Sequence, residues 1–356
     1  MTSTSRAVRS TIALGLCLLQ ALASAAASTS FKIVTASERG TYIQIGRDLA
    51  FWVAPAAGVD LQVLPSAGSA ENVRRLRHEP GVRLALVQSD VYQAFLDQDA
   101  GGNAEAGSLI RPLRVVMPLY DEEIYFIVRA DAPLEFVHDI RDARINVGPL
   151  LSGTAMSATT LYRQMFGRVL PESQAGYLSN EEALVKLTGD RSVDVVVVVA
   201  GQPAKLLLDM TPQARTLVKL LKFDRSSPAG QAALQTYFPA IVRAASYPNL
   251  LTDDVPSLAV RAFLVTYDYG RADTVATLRR FARSLCKNFP QLRESGHAKW
   301  REVDLALPDL GQGWRYSEPM ARELRHCIAS APRGALPAPP PRAVCSQQDR
   351  VLGLCR

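Results

Sequence analysis

Short apolar runs alternate along this chain with longer stretches of helical periodicity. In the longer stretches, apolar residues recur every three or four positions, as Ile45, Leu49 and Trp52 do, which predicts amphipathic helices. The short runs are rich in β-branched residues and bounded by turn-forming residues, which predicts buried strands. The predicted strands cover residues 31–35, 61–64, 84–87, 114–117, 124–128, 145–147, 193–199 and 259–266. This order predicts an α/β protein with largely parallel sheets.

The two ends of the chain differ from its body. Arg6 and Arg9 precede an apolar run and then small residues up to Ala27, the layout of a secretory signal peptide cleaved after Ala25 or Ala27. The apolar run has about 12 residues, fewer than the roughly 20 of a membrane-spanning helix, so an uncleaved anchor is the weaker alternative. We therefore expect a signal peptide over residues 1–27, export to the periplasm, and a proline-rich, cysteine-containing tail over residues 331–356.

Composition and charge exclude several classes of protein. The chain has 356 residues, of which 48% are hydrophobic and 21% are charged, a balance typical of a folded protein. The formal net charge is +6, but the signal peptide and the tail carry most of it, and residues 28–330 carry only +1. Nucleic-acid binding needs a concentrated basic face. We therefore expect no nucleic-acid partner.

Four cysteines remain after removal of the signal peptide. An even number in an exported protein favours two disulfides, although four cysteines allow three pairings. Zinc is the alternative, but the spacing shows no C-x-x-C or H-x-x-x-H pattern. The pairing that we predict is Cys286 with Cys327, joining two helices, and Cys345 with Cys355, closing a small loop in the tail.

Three segments follow the same pattern of a strand, a turn of small or hydroxyl residues, and a helix. They are Gly40-Thr41-Tyr42, Ser66 to Ser69, and Ser152-Gly153-Thr154. Each leaves backbone N–H groups at the start of a helix, where an anion can bind. Any one of them can equally be an N-cap and nothing more. Because all three follow predicted parallel strands, whose carboxyl ends form ligand sites in α/β proteins, we expect them to share one anion site.

The same residues resemble a known family. Gly40-Thr41-Tyr42, Ser66 to Asn72, Val87 to Val91, Ser152-Gly153-Thr154 and Ala200 to Pro203 occur in the order and spacing of the TAXI family of solute-binding proteins. Those proteins are the extracytoplasmic receptor subunits of TRAP transporters. The resemblance covers residues 31–325 and departs at Ser37-Glu38-Arg39, at 311–316 and in the tail.

The resemblance implies a two-lobed periplasmic-binding-protein fold, with a mostly parallel sheet and flanking helices in each lobe. Lobe 1 would comprise residues 28–122 and 259–330, and lobe 2 residues 123–258. A small anionic solute, an amino acid or a mono- or dicarboxylate such as glutamate or 2-oxoglutarate, would bind in the cleft and pass to the TRAP permease subunits. The expected cleft residues are Thr41, Tyr42, Ser66, Ser69, Gln88 and Ser89 of lobe 1, Ser152, Gly153, Thr154, Gly201 and Gln202 of lobe 2, and Arg39 if it turns inward.

Two further functions are weighed against a transport receptor. One is a sensor that presents the same fold to a membrane signalling protein. No feature of the sequence distinguishes such a sensor from a transport receptor. An exported hydrolase would carry a G-x-S-x-G nucleophile elbow, and none occurs. The acidic runs 121–123 and 253–254 indicate charged turns and not catalytic pairs. We therefore expect a monomeric binding protein without enzymatic activity, metal or cofactor.

Overall fold

The computed structural model describes residues 28–330 apart from Arg39 and Gln312. The predicted signal peptide, the tail, the Cys345–Cys355 pairing and the inward contact of Arg39 lie outside the described residues.

A single ten-stranded sheet forms the centre of the molecule. Its strands are β1 (Thr29–Val34), β2 (Val59–Leu64), β3 (Val82–Gln88), β4 (Leu113–Arg129), β5 (Ile145–Asn146), β6 (Ala175–Gly176), β7 (Val195–Ala200), β8 (Val218–Leu220), β9 (Phe238–Val242) and β10 (Val255–Tyr267). The main order is β2-β1-β3-β10-β4-β7-β5-β6, with β8 paired to β4 and β9 to β10. β1 pairs in parallel with β2 and β3, and β5 with β6 and β7, whereas every pair that involves β4 or β10 is antiparallel.

Helices flank this sheet. They are α1 (Thr41–Asp48), α2 (Ser69–His78), α3 (Val91–Ala100), α4 (Ala104–Ile110), α5 (Gly153–Phe166), α6 (Asn180–Thr188), α7 (Lys205–Leu208), α8 (Pro212–Thr216), α9 (Pro228–Ala233), α10 (Ala272–Ser295) and α11 (Glu318–Ser330). α1 continues into a π-helical turn over Leu49–Val53, and short 3₁₀ helices include Ala298–Glu302. None of the described helices is both long enough and apolar enough to span a membrane.

Two long strands, β4 and β10, are shared by two lobes. The first half of β4 packs into two hydrophobic cores with β1, β2 and β3, and its second half packs into two others with β5 and β7. β10 runs antiparallel beside it, from Leu258 opposite Ile124 to Tyr267 opposite Leu113. The predicted fold class, an α/β protein of two lobes, is confirmed.

The long strand β4 corrects two predictions. The sequence predicts separate strands at 114–117 and 124–128, with a charged turn at 121–123, but the chain stays extended from Leu113 to Arg129. The acidic run is accommodated because successive side chains of a strand point to opposite faces. Glu122 is buried on one face, while Asp121 on the other pairs with Arg261 of β10 at 2.9 Å. The acidic residues therefore lie between the two lobes.

A disulfide joins the last two helices. Cys286 of α10 and Cys327 of α11 are bonded, as predicted, across 41 residues of sequence. Cys286 is 5% exposed and packs into the same core as Trp300 and Phe289. The bond therefore fixes α11, which completes one core of lobe 1.

Replacing Cys286 and Cys327 by serine should lower the free energy of unfolding by about 4 kcal/mol, because the crosslink restricts the unfolded chain over a loop of this length. Urea unfolding of the oxidised wild-type chain and of the double variant, followed by circular dichroism, measures the difference. Wild-type protein under reducing conditions is the matched control. Equal unfolding midpoints in all three samples would contradict the prediction.

Candidate functional site

The N-termini of α2 and α5 meet across the two lobes. Gly68, just before α2, has φ +134°, and a Cβ on it would lie 2.9 Å from the backbone nitrogen of Gly153. A Cβ on Gly153 would in turn overlap Oε1 of Gln88, whose side chain would have to move. At Gly68 the positive φ and the neighbouring backbone require glycine, so this position brings the backbones of the two lobes into contact.

The first turn of α5 has free hydrogen-bond donors at this contact. Ser152 caps the helix, because its Oγ accepts a hydrogen bond of 3.0 Å from the amide of Ala155. Within the described part of the chain, no hydrogen bond involves the amides of Gly153 and Thr154. These donors lie at the positive end of the helix dipole, where an anion is favoured.

The turn before α2 satisfies more of its own donors. The amide of Ala67 donates to Oε2 of Glu71 at 2.8 Å, and the amide of Gly68 donates to Oγ of Ser66 at 3.1 Å. Ser66 also donates to Oδ1 of Asn72 at 2.6 Å. Ser66 therefore shapes the turn, and α5 is the helix whose first amides are left unpaired.

Gln88, at the end of β3, links the two helix termini. Its side chain is buried, and its Oε1 lies 3.5 Å from the hydroxyls of Ser69 in lobe 1 and Ser157 in lobe 2. Its backbone amide donates to Oγ of Ser69 at 3.0 Å. Gln88 thus has contacts in both lobes.

A buried carboxylate lies next to Gln88. Glu122 of β4 is 6% exposed and accepts a hydrogen bond of 2.7 Å from the hydroxyl of Tyr42 on α1. Loss of water raises the pKa of Glu122 to about 7, although hydrogen bonds from Tyr42 and Gln88 and the charge of Lys299 oppose the rise. Tyr42 therefore contacts the site indirectly, through its hydrogen bond to Glu122.

The next carboxylate is held by lobe 2. Gln202, just after β7, donates its backbone amide to Oε2 of Glu123 at 2.9 Å. Its side-chain Oε1 accepts a hydrogen bond of 2.6 Å from the amide of Arg243. Burial raises the pKa of Glu123 to about 7, opposed by Lys299. Two carboxyl groups with raised pKa values therefore occupy consecutive positions, on opposite faces of the strand that both lobes share.

Lys299 is a site residue that the sequence analysis missed. It lies in the 3₁₀ helix Ala298–Glu302, is 5% exposed, and its Nζ is 5.5 Å from the centre of the Tyr120 ring. Gly201 of lobe 2 packs on it, since a Cβ there would lie 2.6 Å from Cε of Lys299. One sequence feature could have identified it. Lys299 directly precedes Trp300, a large apolar residue that is expected in the core, and such a position can bury its neighbour.

Other contacts hold the lobes together beside this cluster. The hydroxyl of Tyr237 in lobe 2 lies 3.1 Å from Oδ2 of Asp90 in lobe 1 and 2.9 Å from the carbonyl oxygen of Ser157. Arg163 of α5 pairs with Asp97 of α3. Burial raises the pKa of Asp90 to about 6. The lobes are therefore in direct contact in this structure.

The predicted site residues differ in where the structure places them. Those at the junction of the lobes are Tyr42, Ser69, Gln88, Ser152, Gly153, Gly201 and Gln202. Three others bond within their own lobe: Ser66 in its turn, Ser89 to the backbone of Arg261, and Thr154, whose Oγ1 accepts from the amide of Val199 at 3.3 Å. Thr41 begins α1 and is half-buried. Arg39 lies outside the described residues.

The junction offers both donors and acceptors of hydrogen bonds. The free amides of α5 and the ammonium of Lys299 suit a carboxylate, whereas Glu122 and Glu123 suit an amine or hydroxyl. No group of three or more His, Cys, Asp or Glu side chains among the described residues could hold a metal ion. The arrangement is suited to noncovalent binding of a small polar molecule.

Comparison with known proteins assigns the chain to a family. Residues 33–308 match the NMT1-like family. This match covers most of the chain, so the protein belongs to that family.

Three solved structures are similar in fold. XAC2383 from Xanthomonas citri bound to chloride ion is 14% identical, with a TM-score of 0.45 over 85% of this chain and 99% of that one. The periplasmic binding protein BugD is 14% identical, with a TM-score of 0.45 over 85% and 94%. SsuA, described as a putative periplasmic sulfonate-binding protein, from Methylobacillus flagellatus KT is 11% identical, with a TM-score of 0.43 over 85% and 86%.

The raised pKa of Glu122 predicts a pH-dependent stability. Its pKa rises on folding from 4.5 to about 7, so its stabilising effect is complete below 4.5 and is lost as the pH increases through 7. At 1.36 kcal/mol per pKa unit, the loss for Glu122 is about 3 kcal/mol. Glu122→Gln keeps an acceptor for Tyr42 but does not titrate. This variant should lose much less stability than the wild type between about pH 5 and about pH 8.

Urea unfolding at the two pH values measures this effect. Asp121→Asn is the matched control, because it removes a partly exposed carboxylate from the same strand. An equal loss of stability in the wild type and in Glu122→Gln would show that Glu122 does not cause the pH dependence.

Proposed function

We propose that this chain is the extracytoplasmic solute receptor of a TRAP-type transporter of the TAXI kind, closing on a small amino acid. The observation that carries the proposal is the meeting of the α2 and α5 N-termini from opposite lobes, beside the buried Glu122 and Lys299 and the half-buried Glu123. Such a site is completed only when the lobes approach each other, as binding by domain closure requires.

The shared strands support a hinge. β4 and β10 are the long strands that enter the cores of both lobes, and Glu122 and Glu123 lie midway along β4. A bend of these two strands would separate Gly68 from Gly153 and Gly201 from Lys299, while each lobe kept its own cores. Opening would therefore expose the polar cluster to solvent and admit a solute.

The charges of the cluster favour an amino acid over a dicarboxylate. Glu122 and Glu123 would repel a second carboxylate, whereas an ammonium group would pair with one of them and offset its loss of water. The free amides of Gly153 and Thr154 remain for the solute carboxylate. A zwitterion satisfies both halves of the site.

The partner and the compartment follow from the ordered motifs and the leader. The TAXI-like motifs run through most of the matched region, and residues 1–27 have the layout of a cleaved signal peptide. We therefore assign the chain to the periplasm, with TRAP permease subunits as the membrane partner. A receptor of this kind binds its solute outside the membrane and releases it to the permease.

A thermal-shift screen tests the proposed function. The panel holds amino acids, keto acids, C4 to C6 dicarboxylates and neutral sugars. An amino acid at about 100 times its dissociation constant should raise the free energy of unfolding by about 2.7 kcal/mol, because it binds only the folded chain. The free carboxylates without an amino group should give smaller shifts. Stabilisation by neutral sugars alone would refute the proposal.

Gly153→Ala should weaken binding of that amino acid by roughly tenfold or more, because overpacking at a closed contact costs about 1 to 3 kcal/mol. The added methyl would displace Gln88 from its position between the lobes. Isothermal titration calorimetry measures the affinity. Gly270→Ala is the matched control, since a Cβ at Gly270 meets nothing within 4 Å. Unchanged affinity in Gly153→Ala would remove this contact from the binding site.

A further inference from the structure

The buried ammonium of Lys299 has spare capacity for hydrogen bonds. Its Nζ bonds Oε2 of Glu302 at 2.6 Å, and the described residues supply no other hydrogen bond to it. An ammonium group has three donors, and a buried charge that is only partly compensated is unfavourable. Two of the three N–H groups of Lys299 are therefore available to a ligand.

The carboxylate of Glu302, which pairs with Lys299, is half-exposed to solvent. The side chain of Glu302 is 51% exposed, whereas that of Lys299 is 7% exposed. Glu302 lies three residues after Lys299 on the same 3₁₀ helix, so it needs only a change of rotamer to point into water. An exposed carboxylate loses little free energy when such a pair separates. Glu302 is thus a replaceable counter-ion.

The surroundings of Lys299 place it at the junction of the lobes. Gly201 of lobe 2 packs on its Cε, and its charge lowers the pKa values of Glu122 and Glu123. The hydroxyl of Tyr120, whose ring lies under Nζ, is buried and has no hydrogen-bond partner among the described residues. Two polar groups with unused hydrogen-bonding capacity therefore face the same region.

We propose that Lys299 binds the carboxylate of the solute, and that Glu302 takes the place of that carboxylate when no solute is bound. The inference rests on the proposed function, since it names the residue that recognises one group of the solute. On binding, the solute carboxylate replaces Glu302 on Nζ, and Glu302 turns into solvent. The hydroxyl of Tyr120 donates a hydrogen bond to the same carboxylate.

Opposite effects of two substitutions test the exchange. L-Alanine, an amino acid with a single carboxylate, is the reference probe, and the carboxylate of the screening panel that stabilises the wild type most is titrated alongside it. Lys299→Met should weaken binding by at least about tenfold, because the carboxylate loses a charge-assisted partner. Glu302→Gln should tighten binding by about two- to fivefold, because a half-exposed competitor is removed. Calorimetric titration measures both, and urea unfolding shows that each variant is folded.

The amide of the probe provides the matched control. L-Alaninamide lacks the carboxylate of the reference probe and should bind wild type and Lys299→Met equally. The inference is wrong if both substitutions weaken binding, which indicates a structural ion pair, or if Lys299→Met binds as the wild type does. In either case the proposed function stands. If the wild type binds no carboxylate, the proposed function fails and the inference fails with it.

Discussion

The pairing of β4 with β10 is the constraint on which the rest of the structure depends. These strands run side by side from Leu258 opposite Ile124 to Tyr267 opposite Leu113, and both lobes attach to them. Any group placed midway along β4 is therefore at the junction of the lobes, whichever way the lobes move. Glu122 and Glu123 occupy that place, so the same extended backbone that joins the lobes also brings their polar groups together.

The sequence predicts the strands that have apolar cores on both faces, because continuous β-branched runs distinguish them. It fails at β4, since a run of three acidic residues has the composition of a turn. The extended form comes from pairing with β10 and β7, while Tyr42 and Gln202 hydrogen-bond Glu122 and Glu123. The short strands β6, β8 and β9 were not predicted, because two to five residues at the sides of a sheet carry little periodicity.

The site is predicted in part, for a related reason. Serine and threonine near a turn have the same sequence pattern whether they cap a helix, stabilise a loop or face a ligand. Ser152 caps α5, Ser66 shapes its own turn, and Thr154 bonds the end of β7. The sequence analysis did not identify Lys299, because lysines are mostly exposed in folded proteins. Its burial results from packing against Gly201, about 100 residues away in the sequence.

Direct contact between the lobes bears on how tightly a solute can bind. Tyr237 with Asp90 and Arg163 with Asp97 join the lobes through the chain's own groups, so part of the closed state's stability does not depend on solute. The apparent affinity of a receptor scales with the fraction of molecules in the binding-competent form, and a fully closed population would instead exclude the solute. Glu122, Glu123 and Asp90, whose pKa values burial raises to about 7, 7 and 6, oppose closure at neutral pH because ionised carboxyl groups resist the loss of water. Under the proposed function, a solute that compensates these carboxylates favours the closed form, because it binds that form more tightly.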